Sequence, residues 1–291
     1  MRVNLDNLFV DNNVKETLHA LLRVDTGTRS DLEQMWYLMD RVWDEYNCDN
    51  VNYNWIQIEM FYNHPVWLLN GLFIEQDEVS MQHRKAISDS IIGKTTKDHD
   101  NFKLVVDYGG GYGTLARLIA EKDTMVNIII YEPHPSELAV KKCLSYNNIT
   151  FSDRLPRGID CLVTTDVIEH VPNPLEVLFE IVTSVKTGGY LVIAYNFYPV
   201  IKCHLPATFY LRYTFGYFAK YFGLKKLGSC EGSHADIYLK TKHKQKVNWK
   251  ALQIIEKALQ TVFPLMELTH KCGIKVKGLL RRITESFQSN F

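Results

Sequence analysis

The residue types that most directly imply chemistry lie in Val105-Val106-Asp107-Tyr108-Gly109-Gly110-Gly111-Tyr112-Gly113-Thr114-Leu115-Ala116. A buried-strand pattern runs into four glycines, and a helix-forming segment follows at once. Glycine suits a turn that needs positive φ and a backbone that a ligand must approach closely. The N-terminus of the following helix offers unpaired N–H groups to an anionic group. Gly111-x-Gly113-x-x-Ala116 satisfies the G-x-G-x-x-G/A dinucleotide pattern. Glu132 stands 23 residues beyond Gly109, at the tip of the next predicted strand, where a carboxylate can accept both hydroxyls of a ribose. Together these features predict a nucleoside-containing cofactor and leave open which one. The bland alternative, a tight turn beside a surface glutamate, has to explain why strand, turn, helix and acid coincide.

The elements that must position these groups follow from periodicity. Apolar residues at Val14, Leu18, Leu21 and Leu22, and at Leu32, Met35, Trp36, Met39 and Trp43, recur at helical spacing. Ser30 with Glu33 forms a capping-box pattern before the second set. Phe61–Trp67 contains Pro65 and reads as a loop or helix junction. From about Met81 helix and strand alternate: a helix near 82–92, a polar connection over Thr95–Asn101, then β-branched runs at 103–107, 126–131, 159–164 and 190–195. Between the last two, Asn173, Pro174 and Glu176 predict a helix start and Gly188-Gly189 its stop. Such alternation implies a doubly wound, mainly parallel α/β sheet. Lys225–Cys230 and Ala235–Thr241 flank a turn and predict an antiparallel edge. From Asn248 a helix is expected, interrupted at Pro264 and ending in a basic tail.

Composition narrows the function classes. With 46% hydrophobic and 23% charged residues, the chain of 291 is too apolar to be largely disordered. It has no apolar run near the ~20 residues of a membrane span and no signal-peptide stretch at its start, so a cytoplasmic protein is expected. The 33 basic and 33 acidic residues cancel, which does not favour a nucleic-acid partner. The balance is uneven: residues 1–59 carry a net −6 and residues 240–291 a net +8. This predicts two helical extensions that pack against each other or across a homodimer, the alternative being a basic patch for an anionic partner. The six cysteines include no C-x-x-C pair, so no metal site or dithiol motif is expected.

The order D-x-G-x-G-x-G, acidic tip of the next strand, Asp166-Val167-Ile168-Glu169-His170-Val171 and Thr187-Gly188-Gly189 resembles class I S-adenosylmethionine-dependent methyltransferases, and most closely their ubiquinone-biosynthesis-like branch. The resemblance covers roughly residues 82–243. It implies a seven-stranded Rossmann-like sheet with an antiparallel terminal hairpin; the expected helical N-terminal cap or extension (1–81) and helical basic C-terminal extension (244–291) are read from periodicity and charge and fall outside it. It implies S-adenosylmethionine as cofactor, with Asp107, Gly109, Gly111 and Gly113 around its methionine part and Glu132 on the ribose. Asp153 would then lie beside the adenine and Asp166 would line the pocket. Thr187 stands where relatives often carry proline.

Methyl transfer to a hydroxyl also needs alignment, worth roughly 7–11 kcal/mol, and a general base, worth about 10²–10⁴-fold. Ligands of open α/β sheets bind beyond the strand ends, which draws attention to His170 and His204. His204, in a loop between Pro199 and Pro206, is the preferred base, with His170 second; the alternative for each is a structural histidine. His234, in the terminal turn, is expected to be exposed. Eleven aromatics lie in 195–222. Most are expected to be core, some to wall the acceptor pocket with Tyr62, His64 and Trp67. The leading expectation is an O-methyltransferase of a small polar molecule such as a sugar, nucleotide-sugar or other glycan or secondary-metabolite precursor. Nitrogen or carbon acceptors, a nicotinamide-dependent oxidoreductase and a non-catalytic binding protein are the alternatives. The second lacks an evident hydride-transfer site, and the third has no physical need for the glycines.

Overall fold

β-Branched runs that must bury both faces become the central strands of the protein. A computed structural model describes residues 1, 3–6, 8–97, 102–242 and 246–288, without the side chains of 94–97 and 272–288. Five helices come first: α1 (Asn12–Leu22), α2 (Asp31–Glu45), α3 (Trp55–Tyr62), α4 (Pro65–Gln76) and α5 (Glu78–Lys97). Then follow β1 (Leu104–Tyr108), α6 (Thr114–Lys122), β2 (Asn127–Tyr131), α7 (Glu137–Cys143), β3 (Ile149–Ser152) and β4 (Ile159–Thr165). The chain continues through α8 (Pro174–Ser184), β5 (Val185–Ala194), α9 (Leu211–Tyr221), β6 (Leu224–Ser229), β7 (Asp236–Lys240) and α10 (Trp249–Gln288).

The seven strands lie in the order β3-β2-β1-β4-β5-β7-β6. β1 to β5 are parallel, and β7 pairs antiparallel with both β5 and β6. The order reverses between β1 and β4, the switch point beyond whose strand ends open α/β sheets form their ligand crevice. One core joins the sheet to α8, α9 and Leu252 of α10. A second joins the sheet to Ile87 and Ile91 of α5 and to α6. The third belongs to α1–α4 and takes in Tyr112 of the glycine loop, Leu138 of α7, and Ile201 and Cys203. The N-terminal helices are thus seated on the loops above the strand ends.

Several local expectations are corrected. The capping box at Ser30 and Glu33 forms, but the side chain of Asn173 makes no cap hydrogen bond and α8 starts on Pro174 alone. Gly188-Gly189 does not stop α8, which ends at Ser184. Val185 is already extended and pairs with Ile159, so the glycines lie inside β5 at an irregularity in its pairing with β4. A Cβ on Gly189 would come within 2.8 Å of the carbonyl of Asp160. α5 runs to Lys97, so the polar connection begins later than Thr95; residues 98–101 lie outside the described ones. α10 passes through Pro264 without ending, since an exposed helix loses only one backbone hydrogen bond there. Much of the expected basic tail lies beyond the described side chains. Among the described residues no ion pair joins 1–59 to α10, which instead packs Trp249, Leu259 and Phe263 against the α8 and α9 side. The described cysteines are free, and no described helix is long and apolar enough to cross a membrane.

Candidate functional site

The crevice between β1 and β4 is built first by the glycine loop. Gly109, Gly111 and Gly113 have φ of 72°, 50° and 73°. At Gly109 the requirement is also steric, because a Cβ would sit 2.5 Å from Cγ2 of Val167 in the loop after β4. Gly113 caps α6 in the left-handed conformation, and its N–H donates to the carbonyl of Gly110 at 2.8 Å. Asp107, at the end of β1, is 2% exposed, and its Oδ2 has no hydrogen-bond partner. Burial pushes its pKa up to about 7, against the pull of the Arg84 guanidinium.

Glu132 reaches this loop directly. Its Oε2 accepts the Gly111 N–H at 2.9 Å, and its Oε1 accepts the N–H of His134 at 3.0 Å. Two residues 21 apart in sequence therefore meet at the rim beyond β1 and β2. The N-terminal helices close over this rim. His134 bonds Asn63 at 3.0 Å and stacks on Tyr62 with ring centroids 6.3 Å apart. Tyr62 stacks on Trp67, whose ring meets the edge of His170 at 6.2 Å. Tyr62 and Trp67 therefore span from the Glu132 side to the β4 side. His64 does not join them: its Nδ1 caps α4 by accepting the Val66 N–H. Asp153, after β3, is exposed, and its charge helps to raise the pKa of Tyr131.

After β4 the chain bends at Asp166, whose φ of 54° is unusual for a residue other than glycine. Its Oδ1 accepts from His234 Nε2 at 3.0 Å, and His234 Nδ1 lies 2.9 Å from His83 Nε2. Burial would raise the Asp166 pKa, but the His234 hydrogen bond and charge outweigh it and lower it. That same bond raises the pKa of His234. His234 is exposed as expected, yet its bond to Asp166 ties the β6–β7 turn to the crevice.

The histidines expected to do proton chemistry meet. His170 and His204 pack edge to face with ring centroids 4.8 Å apart. His170 Nδ1 lies 3.1 Å from the carbonyl of Cys203, and His204 Nδ1 2.7 Å from that of Tyr198. Carbonyls only accept, so both Nδ1 atoms donate and each Nε2 carries a lone pair. Burial and then the His204 charge push His170 down to about 3, which makes it a weak base. Burial also lowers His204, with the Tyr198 carbonyl opposing. Beside them Glu169 is fully buried. Its Oε1 accepts the Asn196 N–H at 2.7 Å, while Oε2 has no partner. Burial and the nearby Asp166 charge raise Glu169 to about 8.

Sequence reasoning thus names Asp107, the glycines, Glu132, Asp153, Asp166, His170 and His204; the fold sets Glu132 against Gly111, His204 against His170 and Asp166 against His234, while Asp153 stands exposed after β3. It gave no role to Glu169, although this residue stands inside the quoted D-x-x-E-H-V segment. Arg84, His83 and His134 were also missed. Nothing local distinguishes them, because their relevance arises from the packing of α5 and of the loop after β2.

A family model described as a methyltransferase domain matches residues 82–226. No curated protein matches the chain. Among solved structures, the CurJ carbon methyltransferase is 12% identical with a TM-score of 0.47, over 57% of this chain and 56% of that one. The mitomycin 7-O-methyltransferase MmcR is 14% identical with a TM-score of 0.45, over 79% and 67%. An O-methyltransferase family protein from Burkholderia thailandensis is 15% identical with a TM-score of 0.46, over 79% and 83%. The matched region spans little more than half of the first of these chains. At such identities and scores they assign neither acceptor nor reacting atom.

Proposed function

Residues 82–226 form a class I S-adenosylmethionine-dependent methyltransferase domain, and from that premise we propose that the chain methylates a hydroxyl oxygen of a small polar molecule. A sugar, a nucleotide-sugar or another glycan or secondary-metabolite precursor is the proposed class. The contact between Gly111 and Glu132 at the crevice, with His204 beyond the neighbouring strand ends, is the observation that carries this reading. The residues fit the cofactor: the glycine cradle keeps side chains out of the approach, and the unpartnered Asp107 Oδ2 suits a cationic ligand. Asp107, Gly109, Gly111 and Gly113 would hold its methionine part, Glu132 its ribose, Asp153 its adenine side, and Asp166 would line the pocket.

When bound, the cofactor supplies an electrophilic methyl group for in-line displacement. The chain's share is alignment, exclusion of water and removal of a proton. Residues 1–81 act as the cap, with Tyr62 and Trp67 over the crevice, 82–243 as the cofactor domain and 244–291 as an extension, of which Phe263 and Glu267 brace α9. His204 takes the acceptor's proton on Nε2, its ring held by the Tyr198 carbonyl. His170 supports that ring rather than competing for the proton, because a base titrating near 3 is almost never protonated by a hydroxyl.

Calorimetric titration with S-adenosylmethionine and S-adenosylhomocysteine, with nicotinamide cofactors as controls, tests the cofactor site. Glu132→Ala is expected to weaken binding about 100-fold, since two charge-assisted hydrogen bonds are lost. Unchanged affinity would remove Glu132 from the site. Once acceptors are screened, His204→Ala is expected to lower kcat by about 10²–10⁴ with cofactor affinity unchanged; an unaltered rate would eliminate the base.

A further inference from the structure

We infer that Glu169, His170 and His204 form a binding site for a divalent first-row transition metal, with zinc the ion they suit best. One ligand atom from each lies within 4.8 Å of the other two. A tetrahedral zinc site with bonds near 2.1 Å needs ligand separations of about 3.4 Å. The cluster therefore has to close by no more than about 1.4 Å.

Three further observations distinguish it from a chance gathering of polar groups. Both imidazoles donate Nδ1–H to backbone carbonyls, those of Cys203 and Tyr198. That arrangement presents Nε2 as the donor atom and fixes ring orientation, as supporting hydrogen bonds do at metal centres. Glu169 is fully buried, yet its Oε2 has no partner in the protein, and Oδ1 of Asn196, whose N–H holds the other oxygen, is also without one. Buried polar atoms are seldom left so, and a cation would satisfy the carboxylate. Finally, the ligand-bearing segments are joined, because the Leu205 N–H donates to the carbonyl of Glu169 at 2.9 Å. Loss of one support would not scatter the set.

The donor types select the ion. Two imidazoles and one carboxylate match the three-ligand zinc sites that keep a further position open, and suit iron(II) or cobalt(II) next. Magnesium and calcium prefer sites made mainly of oxygen. The use of the ion, unlike the site, rests on the oxygen-acceptor reading above. The open position takes the acceptor hydroxyl, and coordination makes its O–H bond more acidic. The proton passes to solvent, leaving a metal-held alkoxide as the nucleophile. In the loaded protein His204 is then a ligand, and its role as base belongs to the metal-free chain.

The test uses the full chain, stripped with a chelator and dialysed. Titration with Zn²⁺ alone is expected to give one tight equivalent, and Co²⁺ alone a visible absorption band of low-symmetry coordination. Mg²⁺ alone is expected to bind at least about 100-fold more weakly. Glu169→Gln and His204→Ala should each weaken Zn²⁺ binding by more than the ~10–100-fold typical of losing a supporting partner. Circular dichroism and S-adenosylhomocysteine binding report whether each variant is folded. Should one fail to fold, His170→Gln replaces it in the comparison. No uptake by the folded wild-type chain, or uptake undiminished in the folded variants, would overturn the site. S-adenosylhomocysteine binding reports on the methyltransferase reading independently of metal uptake, so either can fail alone.

Discussion

Asp107 carries a carboxylate that burial holds near neutrality around pH 7, far above the ordinary value of 3.8. A folded-state pKa raised in this way contributes stability that is fully present below about pH 4 and is lost as pH rises towards 7 and beyond. Asp107→Asn removes the ionisation. Relative to wild type, the variant should therefore gain on the order of 2–4 kcal/mol between pH 5 and pH 9, as read by denaturant unfolding in the absence of cofactor. A constant difference across that range would show that Asp107 does not titrate there. Cofactor affinity should move the other way with pH. A cationic ligand favours the ionised carboxylate, so wild-type binding should tighten from pH 6 to 8 while that of Asp107→Asn stays flat. The pairing of Asp107 with a glycine turn is legible in sequence. Its missing partner is not, because that depends on how closely Gly110 and Ile130 pack around it.

At the scale of elements, the loop from Asn196 to Leu205 presents His204, and two neighbours grip it. From one side α2 holds Lys202: Asp40 Oδ1 accepts its N–H at 2.7 Å and Asp44 pairs with its ammonium. From the other side Arg212 of α9 donates through Nε and Nη2 to the Phe197 carbonyl, lies 3.6 Å over the Tyr198 ring and pairs with Glu267 of α10. Tyr198 is the residue whose carbonyl orients His204. Arg212→Met keeps the stem but leaves the Phe197 carbonyl unsatisfied, at a cost of about 1–3 kcal/mol. It should also lower kcat more than it raises KM, because it loosens the proposed base His204 and not the proposed cofactor residues. Equal kcat in a destabilised variant would limit Arg212 to a structural role. The helix and strand runs behind these contacts are readable from periodicity. The corrections at Gly188-Gly189 and Pro264 have different causes: pairing of Val185 with Ile159 takes over before the glycines are reached, whereas an exposed helix tolerates the one hydrogen bond lost at Pro264.

Across the whole molecule, α4 touches the glycine loop, α6 and α7 through residues outside the proposed site. Gly71 of α4 faces Tyr112, and a Cβ there would meet Cγ and Cβ of that ring at 2.6 and 2.7 Å. Glu75, on the same helix, pairs with Arg117 of α6 and Lys142 of α7. Gly71→Ala should push Tyr112 and with it the glycine loop, destabilising the fold by about 1–3 kcal/mol through overpacking. It should weaken S-adenosylhomocysteine binding several-fold although Gly71 lies outside the cofactor motif. Calorimetry beside a thermal melt checks both, and unchanged affinity would show that the cap sits on the loop without tuning it.

What the amino-acid sequence determined alone was the kind of sheet and the kind of cofactor. Both are encoded locally: β-branched runs must bury two faces, and a strand–glycine–helix turn followed by an acidic strand tip repeats its physics wherever it occurs. The seating of α1–α4 over the crevice is decided only in three dimensions, since its contacts run from Asn63 to His134 and from Asp40 to Lys202. So is the meeting of Glu169, His170 and His204. His204 lies 34 residues beyond His170, and nothing in spacing alone predicts that the loop after β5 folds back onto the turn after β4. That return is set by Arg212, Lys202 and the Leu205 N–H, each bonding a partner distant along the chain, and it places two lone pairs beside one buried carboxylate.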